Sequence, residues 1–136
     1  MEKRHFRQFT HTGFWKEDGS DVLFWDYAPD TIIDISVAKE LVENRLEYCE
    51  GKSMYVLIDF TNVHSVTKEA KDFMNSKEGG LKGILGGAFL SNSLVSNVFI
   101  NLYLKINKPT VPAKFFTKKE EALIWLINLQ KANLQK

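Results

Sequence analysis

Apolar residues recur along this chain with two periods, and the change from one to the other marks out its elements. Residues 5–12 alternate loosely around Phe6 and Phe9, which predicts an edge strand. Gly13-Phe14-Trp15 runs into the turn-like cluster Lys16-Glu17-Asp18-Gly19, whose Asp-Gly is a hairpin signal. Val22-Leu23-Phe24-Trp25-Asp26-Tyr27 then reads as an aromatic-rich strand closed by Ala28-Pro29-Asp30. From there the period lengthens. Ala38, Leu41, Val42, Leu46 and Cys49 fall at spacings of three and four, while Lys39, Glu40, Glu43, Asn44 and Glu47 take the other side. That pattern predicts a helix capped by Asp34 or Ser36 and stopped at Gly51.

Met54-Tyr55-Val56-Leu57-Ile58-Asp59-Phe60 is a continuous apolar run ending in an acid, as suits a strand covered on both faces in a parallel sheet. Residues 61–65 read as the loop at its carboxyl end. Thr67 caps a short helix with Ala70, Phe73 and Met74 inward, terminated by Gly79-Gly80. Residues 81–90 predict a glycine-containing central strand. Ser91 or Ser93 caps a helix reaching to about Asn107, and Pro109 and Pro112 stiffen the connector. Ala113-Lys114-Phe115-Phe116 is a short strand. Thr117 and Glu120 form a capping box for a last helix burying Ala122, Leu123, Trp125, Leu126 and Leu129, with residues 131–136 expected as a frayed polar tail. Strands followed by alternating helices and strands predict one α/β domain over 1–136: a mixed sheet of about five strands, an N-terminal β-hairpin and four helices.

Composition narrows the function classes. The chain has 136 residues, 44% of them hydrophobic and 26% charged, with a formal net charge of +1. Basic and acidic residues are interspersed, so no nucleic-acid footprint is expected. A single cysteine gives no disulfide framework and suits a reducing compartment; at an apolar helix position Cys49 reads as a small hydrophobe. The start lacks an apolar signal core, and residues 94–106 are too short and too polar to cross a bilayer. A cytoplasmic location with no integral membrane segment is the expectation.

The chemistry-bearing residues are sparse. Gly79, Gly80, Gly83, Gly86 and Gly87 follow a helix and lack a Lys-Ser/Thr ending, so they fit turn and packing roles better than a nucleotide loop. His5, His11 and His64 have no acid or cysteine at ligand spacing, so neither metal nor cofactor is expected. No nucleophile motif occurs, and no catalytic residues are assigned. Ligands in open α/β sheets bind outside the carboxyl ends of strands, where Asp59, Thr61, Asn62, Ser65 and Thr67 would gather. The alternative for Asp59 and Asn62 is that they hold the turn through side-chain-to-backbone bonds.

The stretch 94–107 raises a separate question. Val95, Val98, Phe99, Leu102 and Ile106 form one stripe, yet Leu94, Ile100, Tyr103 and Leu104 lie off it, with Asn97 and Asn101 four apart. Leu94, Asn97, Ile100, Asn101 and Leu104 are therefore assigned to an interface or to contact with an apolar ligand. The cover could instead be the N-terminal hairpin, with Phe14, Trp15, Phe24 and Trp25.

The segment from Val56 to Thr67, a strand, an aspartate, a loop and a helix start, resembles the central segment of STAS domains, the fold of bacterial anti-sigma-factor antagonists. The close, from Pro109 through the strand Ala113-Lys114-Phe115-Phe116 to Ala122 and Trp125-Leu126, resembles that of SpoIIAA-like proteins. The resemblance implies a STAS-like fold and a non-enzymatic regulatory or protein-interaction role, with a protein partner or homodimer. CRAL-TRIO lipid carriers share the general fold, which makes a small apolar ligand the alternative. One feature departs from the family. The phosphorylated D-S-S-G-L segment of the antagonists would fall on Thr67-Lys68-Glu69-Ala70-Lys71, where no such serine stands. Neither Ser65 nor Thr67 is therefore expected to act as an efficient phosphoacceptor.

Overall fold

In the computed structural model, residues 3–17, 20–92 and 111–134 are described. Eight strands and three helices follow one another in these residues. Strands β1 (Lys3–Gln8), β2 (Thr12–Glu17) and β3 (Leu23–Tyr27) form an antiparallel start. They are followed by β4 (Thr31–Ile33), helix α1 (Ile35–Tyr48), β5 (Met54–Asp59), β6 (Val63–Val66), α2 (Lys68–Met74), β7 (Ile84–Leu90), β8 (Ala113–Phe116) and α3 (Lys119–Leu134). The main sheet has six strands in the order β1-β2-β3-β5-β7-β8, one more than expected. Strands β3, β5, β7 and β8 are mutually parallel, so their carboxyl ends share one edge. The mixed α/β class holds; of the four helices expected, that over 94–107 lies outside the described residues.

Period-two alternation divides the sheet's side chains between two cores. Phe14, Trp25, Val56 and Ile58 face α1 and α2 with Ala38, Leu41, Val42 and Cys49. Trp15, Phe24, Leu57 and Ala88 face α3 with Ala122 and Leu126. The hairpin of β2 and β3 is thus spent within the sheet, its aromatics split between the two faces.

Local chemistry explains the element ends. Asp34, not Ser36, caps α1: its Oδ1 accepts from the Val37 N–H at 2.9 Å. Gly51 follows the helix with φ +76°, a conformation glycine adopts without strain. The Thr67 hydroxyl accepts from the Ala70 N–H and caps α2. That helix stops at Met74, five residues before the first of the glycines expected to end it. Gly79 and Gly80 instead make the turn beyond, where a Cβ on Gly80 would lie 2.0 Å from the Met74 carbonyl oxygen. Strand β7 accordingly starts at Ile84 rather than at residue 81. Gly86 lets α3 approach the sheet, since a Cβ there would meet Leu129 Cδ2 at 2.7 Å.

Two elements were not expected, β4 and β6. Residues 63–66 are not loop: they form β6, which pairs in parallel with β4 as a second, two-stranded sheet. A three-residue strand between Pro29-Asp30 and a helix cap has too little periodicity to register alone, and its partner lies some thirty residues away.

Candidate functional site

The carboxyl edge of the parallel strands, together with the small sheet beside it, holds all five residues assigned to partner binding. Asp59 ends β5, and its Oδ1 accepts from the Thr61 N–H at 3.0 Å, closing a tight turn. The Thr61 hydroxyl donates to Asn92 Oδ1 at 3.3 Å, just past the end of β7. Asn62 bridges three segments: its Nδ2 donates to the Tyr27 carbonyl at 3.1 Å, and its own carbonyl accepts from the Thr31 N–H at 3.2 Å. Asp59 and Asn62 therefore do hold the turn by side-chain-to-backbone bonds, and Thr61 is drawn in with them.

Ser65 and Thr67 lie farther along the same ridge. Both are exposed. Ser65 pairs in register with Ile32 of β4, and the Thr67 N–H donates to the Ile33 carbonyl at 2.9 Å. The five assigned residues thus form two groups, a turn (59, 61, 62) and the small-sheet end with the α2 cap (65, 67). The five residues assigned to an interface or apolar ligand, Leu94, Asn97, Ile100, Asn101 and Leu104, lie outside the described residues.

Three residues matter here that the sequence reading passed over. Ile32 is 54% exposed on β4, beside Ser65, while its neighbours Thr31 and Ile33 are buried. Its signal was the run Thr31-Ile32-Ile33 directly before a helix cap. Asp26, in the aromatic strand β3, lies one residue past the Trp25–Ile58 pair and so beside Asp59. Burial pushes its carboxyl above the ordinary range, the Asp59 charge adds to that, and Lys3 opposes it. The Asp26 carboxylate also accepts from the Gly13 backbone, where a Cβ would stand 2.9 Å from its Oδ1. Each acid of this pair is thus engaged by a backbone N–H. Arg45 is the third. It occupies the buried stripe of α1 at 1% exposure and donates from Nη1 to the Lys82 carbonyl at 2.8 Å and from Nη2 to the Gly80 carbonyl at 3.2 Å. It ties the end of α1 to the turn before β7.

The Cys49 thiol is buried and pushed up by that burial, away from the thiolate a nucleophile needs. Among the described residues no group of three or more His, Cys, Asp and Glu could hold a metal ion. Among them, too, no helix is long and apolar enough to cross a membrane.

A family model described as Domain of unknown function (DUF7793) matches residues 14–130. The chain belongs to this family. The matched stretch takes in the buried residues of both cores and the whole carboxyl edge, leaving out β1, the first two residues of β2 and the end of α3. Among solved structures, this DUF7793 chain is similar to an uncharacterized protein of the DUF3478 family with a SpoIIAA-like fold from Shewanella loihica PV-4. The two share 16% identity over 88% of this chain and 98% of the other, with a TM-score of 0.59. At that identity the likeness establishes the fold, which is SpoIIAA-like. No curated protein matches the DUF7793 chain.

Proposed function

We propose that this protein is a non-enzymatic, STAS-like interaction module that docks a protein partner on the ridge made by the turn at 59–62, the small sheet β4–β6 and the cap of α2. The observation that carries this reading is Ile32. A large apolar side chain left 54% exposed on a strand whose neighbours are buried forgoes part of its burial free energy, roughly 1–2 kcal/mol. Exposed Ser65 pairs with it in register, and exposed Asn62 and Thr67 lie at the two ends of β6. They supply uncharged hydrogen-bonding groups that desolvate at low cost. The ridge is also held in shape before any partner arrives, through the bonds of Asp59, Asn62 and Thr67 to backbone. The missing phosphoacceptor pattern at 67–71 argues that the association is constitutive rather than switched by phosphate.

The test compares wild type with Ile32→Glu and Ser65→Arg as baits in cells of the native host. Both positions are exposed, so each variant is expected to melt within about 2 °C of wild type. A partner captured by wild type, identified and rebuilt from purified components, should bind either variant at least tenfold more weakly. Equal binding by all three baits would refute the assignment of this ridge. Turnover in a broad hydrolase screen, abolished by a substitution at 59–67, would replace the non-enzymatic reading.

A further inference from the structure

The space between the main sheet and α2 is not filled by the described residues. It holds a cavity of about 80 Å³ walled by sheet side chains, among them Trp25, Val56, Ile58 and Phe89, with Met74 of α2 on the opposite side. The wall is almost wholly apolar, and no Asp, Glu, Lys, Arg or His of the described residues contributes to it. Its polar side chains among the described residues are Trp25, Tyr27 and Asn75, and the first of these stands out. Trp25 is 2% exposed, yet its indole Nε1–H has no hydrogen-bond partner. Trp15 on the other face shows the usual arrangement, its Nε1 donating to Glu17 Oε2 at 3.0 Å.

A buried donor without an acceptor is destabilising, and native proteins rarely leave one where nothing will meet it. A largely apolar cavity with a buried, unpaired donor on one of its lining residues has the form of a small-molecule site, in which apolar contact supplies affinity and a polar group fixes orientation. We propose that this cavity binds a small, uncharged, apolar molecule carrying one carbonyl-type acceptor, which takes the Trp25 Nε1–H. The site is separate from the docking ridge and does not depend on it.

Charge and size define the class. Among the described residues the wall offers no cation to a carboxylate or phosphate, and a buried, unpaired anion is strongly disfavoured. Arg45, the buried cation of the same layer, commits both terminal nitrogens to the carbonyls of Gly80 and Lys82 and is not part of the wall. The volume suits one small ring or a short chain. Met74 is an unbranched, adaptable side chain that can yield to a slightly larger guest.

The test uses three probes of similar size: cyclohexanone, its isostere methylenecyclohexane, and cyclopentanecarboxylate. Binding to the full chain is followed by the indole N–H resonances of Trp15, Trp25 and Trp125. Cyclohexanone should move the Trp25 resonance downfield and saturably, leaving Trp15 in place. Methylenecyclohexane should bind without the downfield shift, and the carboxylate should not bind. In Trp25→Phe, which keeps an aromatic side chain and removes the donor, affinity for the ketone should fall about tenfold. Affinity for the alkene should stay within twofold. The proposal is overturned if neither uncharged probe binds saturably, or if the ketone binds without shifting the Trp25 resonance. It is equally overturned if the carboxylate binds as well as the ketone. Should Trp25→Phe fail to fold, the three-probe comparison on wild type decides alone.

Discussion

Replacing Lys119 by Met tests how the α3 layer is fastened to the sheet. Lys119 Nζ lies 2.7 Å from Glu17 Oε2, joining the first turn of α3 to the end of β2. The two ends of this pair differ in environment: the Glu17 side chain is 3% exposed and that of Lys119 43%. Removing one partner of a fully buried pair costs about 3–5 kcal/mol. Water reaches the lysine end and screens it, so the expected loss is smaller, about 1–3 kcal/mol. For a chain of this length that corresponds to a drop in Tm of roughly 3–10 °C.

The pH dependence of that loss identifies its cause. Burial alone would raise the Glu17 carboxyl, but hydrogen bonds from Lys119 and Trp15 and the Lys119 charge outweigh it and hold the group below its ordinary value. In wild type, then, Glu17 contributes stability that is present above the unfolded pKa and is lost as pH falls through the lower folded one. In Lys119→Met the lowering contributions of the lysine vanish and burial dominates. The folded pKa then lies above the unfolded one, and ionised Glu17 becomes a liability at neutral pH. The gap between wild type and variant should be widest near pH 7 and close steadily as pH drops below about 5. Urea denaturation of both proteins from pH 7 to pH 3.5 measures it. A gap under 0.5 kcal/mol at pH 7, or one that stays constant over this range, would show that Glu17 does not depend on Lys119.

Three further outcomes are expected. Asp34→Ala removes the cap accepted by the Val37 N–H and should cost about 1 kcal/mol by urea denaturation, with Asp34→Ser recovering most of it. Gly80→Ala sets a Cβ 2.0 Å from a backbone oxygen, whereas Gly86→Ala meets the movable end of Leu129 at 2.7 Å. The first should lower stability by about 3 kcal/mol or more and the second by about 1–2 kcal/mol, and the reverse order would show that the 79–83 turn rearranges freely. Asp26 has a raised folded pKa, so its ionised form opposes folding at pH 7; Asp26→Asn should be neutral or stabilising by up to about 1 kcal/mol at pH 7, with no gain at pH 3. A clear loss at pH 7 that vanishes at pH 3 would mean that the carboxylate bond to Gly13 outweighs its burial.

How much of this was legible in the sequence depended on how local the cause was. The stripe of α1, the doubly covered β5 and the cap at Thr67 rest on residues within a turn or a strand of one another, and periodicity exposed them. The β4–β6 sheet rests on pairing across some thirty residues between a three-residue strand and one with polar His64 and Ser65, so no local pattern marks it. Arg45 sits on the helix stripe by spacing, but its residue type speaks for solvent; only the carbonyls of Gly80 and Lys82, far along the chain, make its burial tolerable. At the candidate site, Asp59, Thr61 and Asn62 were placed correctly at a strand end because that position follows from topology. Ile32 was missed because exposure of one apolar residue in a run of three is a tertiary property.

The small sheet has a further consequence for association. Without it, the β3–α1 and β5–α2 connections would be two independent surface loops, and a partner would have to freeze both on docking. Each loop residue so ordered costs about 1–2 kcal/mol of backbone entropy. Because β4 and β6 hydrogen-bond to each other, that cost is already met during folding, and docking on the ridge proposed above would begin from a single stiff surface. Association on this ridge should accordingly be fast and close to rigid-body. The amides of Thr31 and Thr67, though near the surface, should exchange with solvent as slowly as those of the sheet interior.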